Sequence, residues 1–210
     1  EARALGVTQP IVPGIMPISN FTQLRRFSEA CGAEIPRWIA RRMQALGDDA
    51  EGVKAAGAAL AKAVELQARL IELQRSGVNL FDQQYRPVPG TDPQQFLTGY
   101  TQRMAEVCQS SCDQLVKDTP GGKVAFIVDS QGYCPVNNSW FSRPPTGDRS
   151  KDLVGSRDKR KFTDPSGLRA ARNTQRFLLH TYVRDTGEIM TEIDVPFFIE
   201  GRHWGTLRLG

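Results

Sequence analysis

FLLHTYVRDTGEIMTEIDVPFFIEGRHWGTLRLG, residues 177–210, is the stretch whose reading decides the fold. It is rich in β-branched and aromatic residues. Two turn signals, at Asp185-Thr186-Gly187-Glu188 and at Glu200-Gly201-Arg202, divide it into three strands. Strands joined this closely pair antiparallel, because a parallel pair needs a long crossover. Upstream, KVAFIVD (123–129) is an apolar run that reads as a further strand, and SQGY (130–133) as the turn into the next one. Residues 142–176 read as loop with short helices.

The first half of the chain is helical in pattern. QPIVPGIMPIS (9–19) reads as a buried strand leaving for a loop. After it Phe21, Leu24, Phe27 and Cys31 form an apolar stripe that Gly32 ends. PRWIARRMQAL (36–46) predicts a short helix, and residues 47–77 a long one. In that long helix Ala56, Ala59, Ala63, Leu66, Leu70 and Leu73 recur at steps of three and four. Such a seam serves either a helical partner, hence a possible dimer, or packing within its own domain. A further amphipathic helix is expected over 94–118. The fold class that follows is α+β: an antiparallel sheet with flanking helices.

Hydrophobic residues make up 40% of the 210, enough for a core, and no apolar run reaches the length of a membrane span. The net charge of +4 is unevenly placed, with 10 Lys+Arg against 4 Asp+Glu over residues 141–176. That excess suits an anionic ligand. Without interleaved aromatics it does not suit nucleic acid. Four cysteines without a CxxC pair or a neighbouring histidine point to free thiols, a reducing compartment and no metal site. The opening at Glu1 reads as a cut from something longer.

QPIVPGIMPISNFTQLRRFSEACGAEIPRWI (9–39), followed by GDDAEGVKAAG (47–57), closely resembles methylenetetrahydrofolate reductase, a flavin-dependent (β/α)₈ barrel, over one late strand–helix unit. The resemblance implies that Phe27 stacks on the folate or nicotinamide substrate and that Gln23 hydrogen-bonds to it. One unit cannot close a barrel, so a working reductase is not expected from this stretch, and the resemblance fades after about residue 57. From SGVNLFDQQYRPVPGTDPQQF (76–96) through DSQGYCPVNNSWFSRPPTGD (129–148) to VPFFIEGRHWGTLRLG (195–210), the chain resembles a sensory domain of bacterial methyl-accepting chemotaxis proteins. That resemblance implies a PAS/Cache-like sheet holding a small ligand. It also implies a helix that carries a signal to a receptor module, and a place in the cytoplasm or on a membrane-associated receptor. Two domains are expected on this basis, 1–63 and 64–210.

Candidate ligand contacts come from residue chemistry. Arg157, Arg160 and Arg184 offer forked donors to a carboxylate. Tyr133, Asn137 and Asn138 follow a Gly turn at a strand start, where pocket walls form. His203 and Trp204 are expected on opposite faces of the last strand. No nucleophile–base–acid trio, phosphate loop or metal helix is singled out. The expectation is a ligand-sensing domain for chemotaxis and signal transduction, without catalysis or cofactor. Its alternative is a fragment of a flavin-dependent methylenetetrahydrofolate reductase, which would take FAD.

Overall fold

Each turn signal of the last 34 residues closes a hairpin in the computed structural model, which describes residues 21–32, 34, 35 and 50–210. The expected strand at 9–19 and the expected helix at 36–46 lie outside those residues. The chain divides into two compact units, Glu1–Val53 and Lys54–Gly210. Of the first unit the main described element is the helix α1 (Phe21–Cys31), which Gly32 ends at φ 63°.

The second unit is built around the part of α2 (Ala50–Arg75) from Lys54 onward, α3 (Thr101–Asp118) and a four-stranded antiparallel sheet. Its strands are β3 (Ala125–Asp129), β4 (Leu178–Val183), β5 (Ile189–Ile199) and β6 (Arg202–Leu209), in the order β3-β6-β5-β4. A two-residue pair, β1 (Arg86–Pro87) with β2 (Phe96–Leu97), precedes α3. The helix expected from residue 94 therefore starts only at Thr101. Residues 94–97 are held in extended form instead, by that pairing and by the Phe96 N–H donating to the Lys159 carbonyl at 2.7 Å.

Strand alternation gives the sheet two different faces. Ala125, Ile127, Ile193, Val195, Phe197, Leu207 and Leu209 point to one side and form a core with the α2 and α3 stripes. Ala56, Ala59, Ala63, Leu66, Leu70 and Leu73 are all buried there, so the seam of α2 packs within its own unit. Each Leu so buried contributes about 1.5–3 kcal/mol. Gln67 on α2 caps the sheet by accepting the Phe198 N–H at 2.8 Å. The opposite face carries Phe126, Val128, Met190, Glu192, Asp194, Thr206 and Arg208. It is covered by the segment between β3 and β4, which holds α4 (Arg149–Gly155) and α5 (Pro165–Ala171).

The β5–β6 register slips between Phe197 and Phe198, where Phe197 pairs Gly205 but Phe198 pairs His203. This bulge leaves Trp204 as the extra residue and turns it into the core, against Tyr100 and Phe197. Gly205 beside it has no room for a side chain, since a Cβ there would lie 2.0 Å from the Val128 carbonyl oxygen. Pro196 sits beyond Asp194, the last β5 residue paired with β4, so that stretch of β5 has β6 as its one neighbour.

Candidate functional site

A cavity of about 410 Å³ lies between the polar face of the sheet and the segment that covers it. Phe126, Phe162 and Tyr182 give it aromatic walls, while Asn137, Arg157, Arg160, Lys161, Arg184, Asp185, Glu192 and Arg208 bring the charge and polarity. Four of the expected ligand residues therefore meet here: Asn137, Arg157, Arg160 and Arg184. Of the basic excess of 141–176, Arg157 and Arg160 are drawn inward, while Arg143, Arg149, Lys151, Arg169, Arg172 and Arg176 stay exposed.

Its arginines already hold carboxylates. Arg157 donates to Asp185 Oδ1 at 2.8 Å and Arg160 to Asp185 Oδ2 at 3.0 Å, and both guanidiniums lie over the Phe162 ring. Asp185 belongs to the turn between β4 and β5, so the two arginines latch the covering segment onto that hairpin. Arg184 donates to Glu188 across the same turn at 2.9 Å. Burial acts to raise the Asp185 carboxyl, but the hydrogen bonds and charges of Arg157 and Arg160 outweigh it and hold it below the usual range. A lowered folded-state pKa gives stability that is present above the unfolded value and lost as pH falls through the folded one. Wild type is therefore expected to exceed Asp185→Asn in stability at neutral pH. The gap should close as pH drops below about 3.9, the ordinary Asp value. Urea denaturation across a pH series measures it, and a gap that persists at low pH would refute the latch.

The other expected residues sit elsewhere. Tyr133 is in the core beneath the first turn, its hydroxyl donating to the Phe96 carbonyl at 2.9 Å and bonded to Thr101 at 2.8 Å. Asp129 fixes that turn: its carboxylate accepts the Tyr85 and Tyr100 hydroxyls and the Gln131 and Tyr133 N–H groups. Asn138 accepts the Ala125 N–H at 2.6 Å, closing the start of β3. Trp204 donates its indole N–H to the Leu80 carbonyl at 2.7 Å. His203 packs edge-on to Phe198, and burial lowers its pKa. Gln23 and Phe27 stand four residues apart on α1, and their side chains lie outside the described residues. Cys108, Cys112 and Cys134 are buried free thiols, each pushed up by burial, Cys108 to about 12, whereas Cys31 is exposed.

At the floor of the cavity the strands assemble a cluster that sequence reading did not single out. Glu192 accepts Arg208 Nε at 2.9 Å and the Tyr182 hydroxyl at 2.6 Å. Arg208 Nε lies 3.3 Å from Asp194 Oδ1, and His180 Nε2 lies 3.2 Å from Asp194 Oδ2. Glu192 and Asp194 are fully buried. Burial raises both carboxyls. Arg208 outweighs it at Glu192, which ends below the usual range, whereas Asp194 stays raised because Glu192 adds its own negative charge. The signal available in the sequence was Glu192 and Asp194 alternating with Ile193 and Val195 in an 11-residue strand. That alternation describes a strand with one wet face, whereas here both faces are covered.

Comparison with known proteins bears on the other end of the chain. The family model for methylenetetrahydrofolate reductase matches residues 1–81. The 5,10-methylenetetrahydrofolate reductase of Escherichia coli K12 is 43% identical over 56 residues, which is 27% of this chain and 19% of that protein. A probable methylenetetrahydrofolate reductase (NADH) of Oryza sativa is 42% identical over 57 residues, 10% of its length. A probable methylenetetrahydrofolate reductase (NADPH) of Caenorhabditis elegans is 32% identical over 72 residues, 34% of this chain and 11% of that protein. The chain spans about a fifth of the length of the E. coli relative and about a tenth of the two longer ones. No solved structure matches it.

These matches correct three expectations. A chemotaxis receptor's sensory domain is not what the chain resembles among known proteins: the similarity is to methylenetetrahydrofolate reductase, over residues 1–81 in the family model and over 56 residues in the E. coli relative. The reading as a signal-transduction protein falls with it. The expectation of no cofactor is overturned as well, since the matched family is one of flavin enzymes. Among the described residues no helix is long and apolar enough to cross a membrane.

Proposed function

We propose that this chain is part of a flavin-dependent methylenetetrahydrofolate reductase of cytoplasmic one-carbon metabolism, and that α1 carries contacts to its substrate. The observation that supports this is the similarity of residues 1–81 to that family, at 43% identity over 56 residues with the E. coli enzyme. Residues 23 and 27 are one turn apart on one face of α1. That spacing lets Phe27 stack on a flat ring while Gln23 hydrogen-bonds to its edge. In this reading α1 derives from one late unit of a (β/α)₈ barrel.

FAD supplies hydride transfer in that family, but the described residues do not fit it. The cavity's Arg157, Arg160 and Arg208 are already engaged by carboxylates, and no glycine-rich turn opens a helix there to receive a pyrophosphate. In the proposed reductase the flavin is held outside residues 54–210. The second unit's strand order and the cavity on one sheet face support a PAS/Cache-like reading, as a fold only. Of the expected ligand residues, Asn137, Arg157, Arg160 and Arg184 line that cavity, whereas Tyr133, Asn138, His203 and Trp204 lie outside it.

Isothermal titration of the chain with 5-methyltetrahydrofolate and with NADH tests the proposal. Phe27→Ala is expected to weaken the bound partner about tenfold, the size of one aromatic contact of about 1.4 kcal/mol. Gln23→Ala should weaken it by a similar factor through the lost hydrogen bond. Absence of binding by either partner to the wild-type chain would sink it.

A further inference from the structure

His180 Nε2 and both carboxylate oxygens of Asp194 are sealed from solvent without a hydrogen-bond partner. They face one another and Glu192 at the floor of the cavity. The ligand atoms of His180, Glu192 and Asp194 all lie within 4.8 Å of one another. His180 Nε2 is 3.2 Å from Asp194 Oδ2 and 3.8 Å from Glu192 Oε2. Two ligands held about 2.0–2.2 Å from a tetrahedral cation stand about 3.4 Å apart, which falls between those two distances.

The sheet makes this grouping rigid. His180 on β4 and Glu192 on β5 are direct cross-strand partners, and Asp194 follows two residues on, on the same face. Asn173 donates its side-chain amide to the Asp194 backbone carbonyl at 3.1 Å, pinning the strand at that point. Glu192 is oriented from behind by the Tyr182 hydroxyl on Oε1 and by Arg208 on Oε2, as outer partners orient a ligating carboxylate. Two carboxylates and one imidazole thus face a single guanidinium. Arg208 directs its Nε–H at Glu192 and meets Asp194 as an ion pair at 3.3 Å without hydrogen-bonding to it.

We infer that His180, Glu192 and Asp194 hold a divalent transition cation, with zinc the best match to one imidazole and two carboxylates. Three protein ligands leave a fourth position for water or an external donor. Glu192 and Arg208 also line the 410 Å³ cavity, so that position is next to a space such a donor could enter. The site is independent of the reductase reading, because it uses only residues of the second unit.

Zinc titration of the metal-stripped full chain, in competition with a chromophoric chelator, tests the assignment, and cobalt(II) substitution reports the ligand type. The expected result is one equivalent of zinc and a cobalt spectrum without thiolate charge-transfer bands, which separates this site from the free cysteines. Asp194→Asn and His180→Ala should each weaken zinc about 100-fold, and Tyr182→Phe about tenfold. Asp194→Asn keeps the side chain's shape, so it decides the matter if His180→Ala fails to fold. No saturable zinc binding, thiolate bands in the cobalt spectrum, or unchanged affinity in an Asp194→Asn variant with a wild-type circular dichroism spectrum would each overturn the assignment.

Discussion

Arg208→Leu is expected to destabilise the chain by about 3–5 kcal/mol, because it strands Glu192 and Asp194 as two buried carboxylates without their cation. The magnitude follows from an asymmetry. A buried ion pair adds little net stability, since desolvating both charges costs nearly what their attraction returns, but removing one partner leaves that cost uncompensated. The same reasoning predicts that Arg208→Leu, Glu192→Met and Asp194→Leu made together lie within about 2 kcal/mol of wild type, on the stable or unstable side. Urea denaturation of metal-free protein measures both. A single substitution as mild as the triple one would mean that the carboxylates find water or protons in the folded state.

Trp204→Ala should cost a comparable amount, about 3–5 kcal/mol, for a different reason. The indole is buried against Tyr100 and Phe197, and its N–H satisfies the Leu80 carbonyl. Truncation opens a cavity between sheet and helices and orphans that carbonyl. Trp204→Phe separates the two contributions. It keeps most of the packing and loses the hydrogen bond, so about 1–3 kcal/mol is expected. Equal losses for Ala and Phe would place the whole effect on the hydrogen bond, and no loss for Ala would contradict the core position.

Residues whose surroundings are local could be read from sequence. The α2 seam and the two hairpin turns needed only spacing, because a helix stripe and a Gly turn are properties of a few consecutive residues. What spacing left open was the partner of the seam, and packing within the unit now answers it. His203 and Trp204 show the limit of alternation: one extra residue in β6 shifts the register, and no residue type in GRHWG announces a bulge. The polar floor lay further out of reach. His180, Glu192, Asp194 and Arg208 come from three strands, and their burial depends on the covering segment between β3 and β4, earlier in the sequence. Arg157 and Arg160 were legible as anion donors. That the anion is this chain's own Asp185 is a fact of tertiary structure.

The strand order has a consequence for how the molecule comes into being. β6 lies between β3 and β5, so Ala125 must wait for Leu209 before its ladder can form. Closing so long a loop is entropically costly and slow beside helix formation. During synthesis α2 and α3 can coil as they emerge and meet the apolar face of β3, but the β3 edge that pairs with β6 stays open until β6 has left the ribosome. A nascent chain halted before residue 202 would therefore carry an unpaired strand edge open to chaperones and proteases, and the four-stranded sheet would close only with β6.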